Sequence, residues 1–194
     1  MSGWTTGRSS AGFTLIEVLI ASMLAAGIAT GVAHLIALGI SANRAAREQT
    51  FTTILAAAKL EQLRSLSWTY EPGRDEPPPP RSDTSADLSV EPAGAGGPGL
   101  SPSPPGTLQS NVGAYVDYLD DRGRWVGNGG VPPPGAAFVR RWSVRPLPHD
   151  PASSLILSVL VAPIAQDRGR TAPWSARSGT ESLLVTFVTR KGRQ

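Results

Sequence analysis

An uncharged apolar stretch near the N-terminus constrains the fold of this 194-residue chain more than any other feature. From Val18 to Ile40 there is no Asp, Glu, Lys or Arg, and a helix built from these 23 residues would be apolar on every face. Such a helix would be about 34 Å long, which is enough to cross a hydrocarbon core of about 30 Å. We therefore expect a transmembrane segment over residues 13–40.

Two other kinds of segment are also strongly apolar. A helix packed on the core of a soluble protein is normally apolar on one stripe and not on every face, and a secretory signal peptide has an apolar region of only about 7–15 residues before its cleavage site. The stretch here is longer and no break follows it. Arg8 precedes it, whereas Arg44 and Arg47 follow it, so the distribution of positive charge does not orient the chain across a membrane.

Glu17 places a carboxylate near the start of the apolar stretch. A carboxylate at the centre of a bilayer costs about 2.5–3.5 kcal/mol even on lenient insertion scales, so it needs water or a cation. Glu17 either reaches the headgroups, where the positive end of the helix dipole also favours it, or pairs with a cation of another chain.

The residues around Glu17 favour the second alternative. Gly12-Phe13-Thr14-Leu15-Ile16-Glu17, followed by some twenty apolar residues, resembles the class III signal of type IV pilins and type II secretion pseudopilins. In that family a prepilin peptidase in the membrane cleaves after the glycine and methylates the new terminal amine. The resemblance implies a leader over residues 1–12, cleavage between Gly12 and Phe13, and N-methylation of Phe13.

The resemblance also implies a partner for Glu17. In pilin-like filaments this carboxylate neutralises the N-terminal amine of a neighbouring subunit. Because an unpaired charge in an apolar bundle is costly, subunits in the wrong register would be disfavoured. We interpret Glu17 as a registry residue and not as a catalytic acid. The family further implies a cytoplasmic leader, a periplasmic C-terminal part and an assembly platform in the bacterial inner membrane.

Gly27 and Gly31 form a G-x-x-x-G pattern within the apolar stretch. This spacing lets two membrane helices approach closely, although glycine is in any case more frequent in membrane helices than in soluble ones. We predict that these residues pack against a neighbouring helix.

Beyond Ile40 the helix is expected to continue, because no Gly or Pro occurs between Ser41 and Trp68. Residues 41–68 are amphipathic, and Asn43, Arg44, Arg47, Glu48, Lys59 and Arg64 are expected to provide the polar cover. No heptad persists as a coiled coil would require. Residues 69–108 contain ten Pro and six Gly, which predicts an extended or disordered surface loop.

The last 86 residues, 109–194, are expected to form a β-sheet head. Four segments are rich in β-branched and aromatic residues: Val112–Leu119, Phe138–Val144, Leu155–Ala162 and Leu183–Thr189. The third is apolar on both faces except at Ser158 and is predicted to be the central strand. The fold class predicted is α+β and pilin-like, with an antiparallel sheet packed on the C-terminal half of one long helix over residues 13–68.

A second, looser resemblance concerns the kind of pilin. Lys59–Arg64 and Arg140–Val144 are similar to segments of PilV-type minor pilins and of minor pseudopilin I of type II secretion. Many major pilins close a C-terminal loop with a disulfide, which a chain without Cys cannot form. The sequence therefore favours a minor subunit.

No pattern in the sequence indicates an enzyme, a cofactor or a metal centre. Without Cys, and with only two His, thiol catalysis and iron–sulfur clusters are excluded, and no nucleophile elbow or phosphate-binding loop occurs. Asp117, Asp120 and Asp121 lack the spacing of a defined calcium loop and are interpreted as turn residues. Arg140, Arg141 and Arg145 with Trp142 raise the alternative of DNA binding, for which a larger clustered patch is expected.

The function predicted is therefore that of a minor pilin or pseudopilin, a structural subunit of a type IV pilus or a type II secretion pseudopilus. Its expected partners are the prepilin peptidase, other pilins and the assembly platform. The alternative is a binding module at a filament tip, either an adhesin or a DNA-uptake receptor. A periplasmic enzyme on a signal anchor is the third and least favoured hypothesis.

Overall fold

The structure is a computed structural model, and it describes residues 12–70, 80–167 and 179–190. The chain divides into two compact units, Met1–Arg44 (the N-terminal unit) and Ala45–Gln194 (the C-terminal unit). The elements described are, in chain order, α1 (Leu15–Ser65), β1 (Trp68–Tyr70), β2 (Pro80–Ser82), β3 (Ala86–Asp87), β4 (Gly94–Ala95), β5 (Val116–Leu119), β6 (Trp125–Asn128), β7 (Phe138–Leu147), β8 (Asp150–Pro163), α2 (Ile164–Asp167) and β9 (Ser182–Thr189).

Helix α1 is 51 residues long and lies within the range 13–68 predicted for it. It contains no Pro, and its three glycines lie in the apolar portion before Ser41. At its C-terminal end Ser65 donates a hydrogen bond from Oγ to the carbonyl oxygen of Gln62 at 2.7 Å, and β1 begins three residues later. The α+β layout of one long helix and a C-terminal antiparallel sheet is confirmed.

Five antiparallel strands form the main sheet in the order β6-β5-β7-β8-β9. The central strand is β7, so the prediction of a central position for Leu155–Ala162 is wrong. These residues belong to β8, which is paired on both sides but lies next to the edge strand β9. Apolar residues on both faces indicate an interior strand, but they do not distinguish the middle of a sheet from the neighbouring position.

The sheet is buried on both faces along most of β7. One face packs against the C-terminal part of α1, where Leu55, Ala56 and Leu63 contact a cluster that includes Trp142. A T-shaped pair of Phe51 and Phe138, with ring centroids 5.4 Å apart, belongs to the same contact. The opposite face carries a second apolar cluster, formed by Val116, Tyr118, Val139, Ala162 and Ile164.

The turn between β5 and β6 lies directly on α1. Its Gly123 has a φ of +78°, and a Cβ atom there would lie 2.8 Å from Cδ2 of Leu55. A side chain at this position would therefore be strained and would also collide with the helix. The interpretation of Asp120 and Asp121 as turn residues is confirmed, since the N–H of Gly123 donates to the carbonyl oxygen of Asp120 and the N–H of Arg122 donates to its carboxylate.

The Pro/Gly-rich segment is more ordered than its composition predicts. Residues 80–108 include the short strands β2, β3 and β4, and Leu88 and Leu100 lie in the core with 6% and 1% of their surface exposed. For this part the expectation of an extended or disordered surface loop is wrong, because two leucines anchor it. Residues 71–79, with most of the proline run, lie outside the described residues.

Candidate functional site

Thr14 and Glu17 form a reciprocal cap at the start of α1. The backbone N–H and the hydroxyl of Thr14 each donate a hydrogen bond to Oε2 of Glu17 at 3.0 Å, and the Glu17 N–H donates to Oγ1 of Thr14 at 3.3 Å. This is a capping box, in which a helix end satisfies two of its free N–H groups. The spacing Thr-x-x-Glu is the sequence signature of this motif, so the cap is detectable from the sequence.

The predicted cleavage site lies immediately before this cap. Gly12 and Phe13 are outside the helix, both are exposed, and the Phe13 side chain retains 86% of its accessible surface. The leader residues 1–11 lie outside the described residues. The peptide bond between Gly12 and Phe13 is thus in non-helical chain, two residues before the first helical residue Leu15.

Helix α1 is long and apolar enough in its N-terminal portion to span a membrane. Every side chain from residue 12 to residue 44 is exposed, including many large apolar ones. The large apolar side chains in this portion are Phe13, Leu15, Ile16, Val18, Leu19, Ile20, Met23, Leu24, Ile28, Val32, Leu35, Ile36, Leu38 and Ile40. A Cβ atom at Gly27 or Gly31 would meet nothing within 4 Å. The described chain therefore offers these glycines no packing partner.

A second arrangement of charges is buried between α1 and the sheet. Asp117 of β5 lies opposite Arg140 of β7, and the guanidinium donates to both carboxylate oxygens, from Nε at 2.8 Å and from a terminal nitrogen at 2.7 Å. Nζ of Lys59 in α1 lies 3.2 Å from Oδ2 of Asp117 and 3.9 Å from the ring centroid of Trp142. Lys59 also donates a hydrogen bond to the carbonyl oxygen of Leu88.

This buried charge cluster, formed by Lys59, Asp117 and Arg140, contains two cations and one carboxylate. Lys59 is fully buried, and burial is the main reason that its pKa falls from 10.5 to about 8. The Asp117 carboxylate opposes this change and the Arg140 guanidinium reinforces it, while Glu91 has a smaller opposing effect. The cluster joins α1, two strands and the segment that carries Leu88, so it holds these elements together.

The prediction that Lys59 belongs to the polar cover of α1 is wrong. Leu55, Lys59 and Leu63 are spaced four residues apart and share the buried side of the helix. That spacing was a usable signal. The carboxylate that accepts the lysine is 58 residues away in the chain, and no local pattern indicates it.

The structure also decides the interpretation of the other acidic and basic candidates. The interpretation of Asp117 as a turn residue is wrong, because it lies in β5 and binds the two cations described above. Asp120 accepts hydrogen bonds from the N–H groups of Arg122 and Arg124. These bonds, the one from Arg124 above all, lower the pKa of Asp120. Within the described ranges no three His, Asp or Glu side chains are arranged to hold a metal ion.

The arginines considered for DNA binding do not form a surface patch. Arg140 and Arg141 are each only 4% exposed, and Trp142 is 1% exposed. Arg141 donates two hydrogen bonds to Asp167, at 2.9 and 2.6 Å. Arg145 is the exposed member of the set.

Comparisons with protein-family models, with curated proteins and with solved structures find no match to this chain.

Proposed function

We propose that this protein is a minor pilin or pseudopilin, a structural subunit of a type IV pilus or of a type II secretion pseudopilus. One observation carries the proposal. An unbroken Gly-Phe-Thr-Leu-Ile-Glu motif leads directly into a helix whose apolar N-terminal portion is exposed throughout. In water so large an apolar surface would be unfavourable, whereas a bilayer or a bundle of like helices would cover it.

The environment of Glu17 supports a role in assembly. Among the described residues no cation pairs with this carboxylate, and the residue that donates hydrogen bonds to it there is Thr14 of its own chain. Cleavage after Gly12 would create a positive amine at Phe13, one helical turn from Glu17. A neighbouring subunit displaced by about one turn would bring its own amine to this carboxylate, and both charges would be compensated.

Gly27 and Gly31 support helix-to-helix packing in the same assembly. Glycine inside a helix costs about 0.5–1 kcal/mol relative to alanine, and nothing in the described chain packs on either residue. Because glycine has no side chain, the helix of another pilin would be able to approach closely at these two positions.

In the described part of the C-terminal unit, the buried side chains of Lys59, Asp117, Arg140 and Arg141 form ion pairs. We assign these charges to stability and not to catalysis. The proposed life cycle places the chain first in the bacterial inner membrane, with its C-terminal unit in the periplasm. The prepilin peptidase then processes it, and the assembly platform inserts it into a filament with other pilins.

Mass spectrometry of the N-terminus tests the proposal. Chain expressed together with a prepilin peptidase should begin at Phe13 and carry one added methyl group on its amine. Gly12→Val should leave the leader attached, whereas Gly31→Val, the matched substitution in the apolar helix, should be cleaved normally. A mature chain that still begins at Met1, or cleavage at another bond, would refute the assignment.

A further inference from the structure

A cavity of about 460 Å³ lies between β7 and the segment that crosses its edge. Ser143 and Arg145 of β7 line one side, and Ser103, Pro104, Pro105 and Thr107 line the other. Pockets of roughly 300–1,000 Å³ commonly hold small ligands. This cavity lies wholly within the C-terminal unit and is independent of the N-terminal signal.

Ser143 contributes a buried hydroxyl group for which the described residues offer no hydrogen-bond partner. The residue is only 3% exposed, and its Oγ forms no hydrogen bond in the part of the chain that the structure describes. Buried polar groups are nearly always hydrogen-bonded, so an unpartnered one at a cavity wall indicates a missing partner.

Arg145 supplies a positive charge on the same wall. It lies two residues after Ser143 in β7, so both side chains are on one face of the sheet. Arg140 and Arg141 are each held by a carboxylate. Arg145, in contrast, has no hydrogen bond or ion pair to any described residue, and none of the residues lining the cavity is acidic. Its guanidinium is therefore available to an anion from outside.

The opposite wall of the cavity, formed by residues 103–107, is held to β7 by hydrogen bonds within the protein. The N–H of Ser103 donates to the carbonyl oxygen of Val144 at 2.8 Å, and the N–H of Val144 donates to Oγ of Ser103 at 3.1 Å. Thr107 donates from its hydroxyl to Oγ of Ser103 at 3.4 Å. Pro104 and Pro105 add a rigid aliphatic surface between these polar contacts.

We propose that this cavity binds a carboxylate carried on a short aliphatic framework. The planar guanidinium of Arg145 matches a carboxylate in two parallel hydrogen bonds, and the Ser143 hydroxyl donates a third. The proline wall packs against the aliphatic part, which explains a volume larger than a bare ion needs. A free organic acid and an acidic side chain of a peptide share this chemistry.

Titration of the full chain in detergent by isothermal calorimetry tests the proposal. The two probes are glutarate, a free acid, and glutamate blocked as its N-acetyl and N-methylamide derivative, which mimics a peptide. The blocked glutamine is the neutral control. We expect saturable binding of at least one carboxylate probe, at least tenfold tighter than the amide. Tighter binding of blocked glutamate identifies a peptide as the source, and tighter binding of glutarate identifies a free acid.

Three variants locate the site. Arg145→Gln should weaken carboxylate binding at least tenfold, and Ser143→Ala should weaken it severalfold without lowering the thermal midpoint of the free protein. Arg122→Gln removes an exposed arginine in the turn between β5 and β6, and this variant should bind as the unaltered chain does. The proposal is wrong if neither acid binds, if the amide binds equally well, or if Arg145→Gln has no effect.

Discussion

The two ends of α1 each hold an ionisable side chain among apolar neighbours. Glu17 at the N-terminal end is exposed, and within the described ranges its carboxylate is bound by the hydroxyl and the N–H of Thr14. Lys59 near the C-terminal end is completely buried, and its ammonium group contacts a carboxylate, a carbonyl oxygen and an aromatic ring. One helix thus carries a charge without a counterion in the described chain and a charge that the fold itself compensates.

The difference separates assembly from folding. A charge whose counterion lies in the same chain stabilises that chain in any surroundings, and its removal is felt as instability. A charge whose counterion is expected on another chain contributes little until the two chains meet. Removal of a charge should therefore impair assembly at the N-terminal end of α1 and lower the free energy of unfolding at the C-terminal end.

The largest effect is expected from Glu17→Ala, which should abolish incorporation into filaments while leaving cleavage after Gly12 intact. Glu17→Gln is the matched control, because glutamine retains the capping geometry with Thr14 but has no charge. Both variants should fail to incorporate if the charge is what matters. Filament fractions probed for the subunit measure this, and normal incorporation of Glu17→Gln would leave only the cap as the role of Glu17.

At the other end of α1, Asp117→Asn should lower the free energy of unfolding by about 3–5 kcal/mol, because it leaves Lys59 and Arg140 buried without a counterion. Lys59→Met should cost less than about 2 kcal/mol, since the pair of Asp117 and Arg140 survives and mainly the Leu88 carbonyl loses a donor. Urea unfolding followed by tryptophan fluorescence gives both values. A larger loss for Lys59→Met than for Asp117→Asn would contradict this description of the cluster.

The next largest effect is expected in the pH dependence of the free energy of unfolding, to which the buried Lys59 contributes. The pKa of Lys59 is about 8 in the folded protein, against an ordinary value of 10.5 for a lysine side chain. Between these values the unfolded chain binds more protons than the folded one, so the free energy of unfolding rises with pH, by up to about 3 kcal/mol from this residue. Below about pH 8 this contribution is constant.

Lys59→Met is the control for that measurement. The difference in unfolding free energy between the unaltered chain and this variant, measured at pH 7 and at pH 9.5, isolates the lysine from all other titrating groups. The unaltered chain should gain relative to the variant as the pH rises. A difference that stays constant across this interval would show that the Lys59 pKa is not lowered.

The smallest effect is expected at an exposed ion pair of the same helix. Arg64 donates to Glu61 at 2.8 Å, but their side chains are 51% and 66% exposed. Glu61→Ala should change the free energy of unfolding by less than about 0.5 kcal/mol, because water and salt screen such pairs. The same urea experiment checks it. A loss comparable with that of Asp117→Asn would mean that burial is not what separates the two kinds of pair.

Much of the fold follows from local sequence. The helix was predictable from an uninterrupted run of good helix formers, and strands β7, β8 and β9 from their β-branched residues. Strand β6 was missed, because Trp125–Asn128 is four residues long and includes Gly127. The N-terminal motif was likewise readable, since all its residues are contiguous.

The buried charge cluster was not predictable in the same way. Lys59, Asp117 and Arg140 come from three elements, and only the pairing of β5 with β7 and the docking of α1 bring them together. Leu88 and Leu100 were missed for a related reason. The Pro/Gly content of a 40-residue window does not reveal that two leucines within it reach the core.

Arg140 and Arg141, neighbours in β7, also determine the register of this strand, which the apolar pattern leaves undetermined. Because both faces of the strand are buried, hydrophobicity does not distinguish the observed register of β7 from one shifted by a single residue. Arg140 meets Asp117 on the side of α1, and Arg141 meets Asp167 on the opposite side. A shift of one residue would carry each guanidinium to the wrong face of the sheet and leave both carboxylates without these counterions. The two guanidinium groups thus fix the register of β7. They disfavour folds shifted by one residue that the apolar side chains alone would allow.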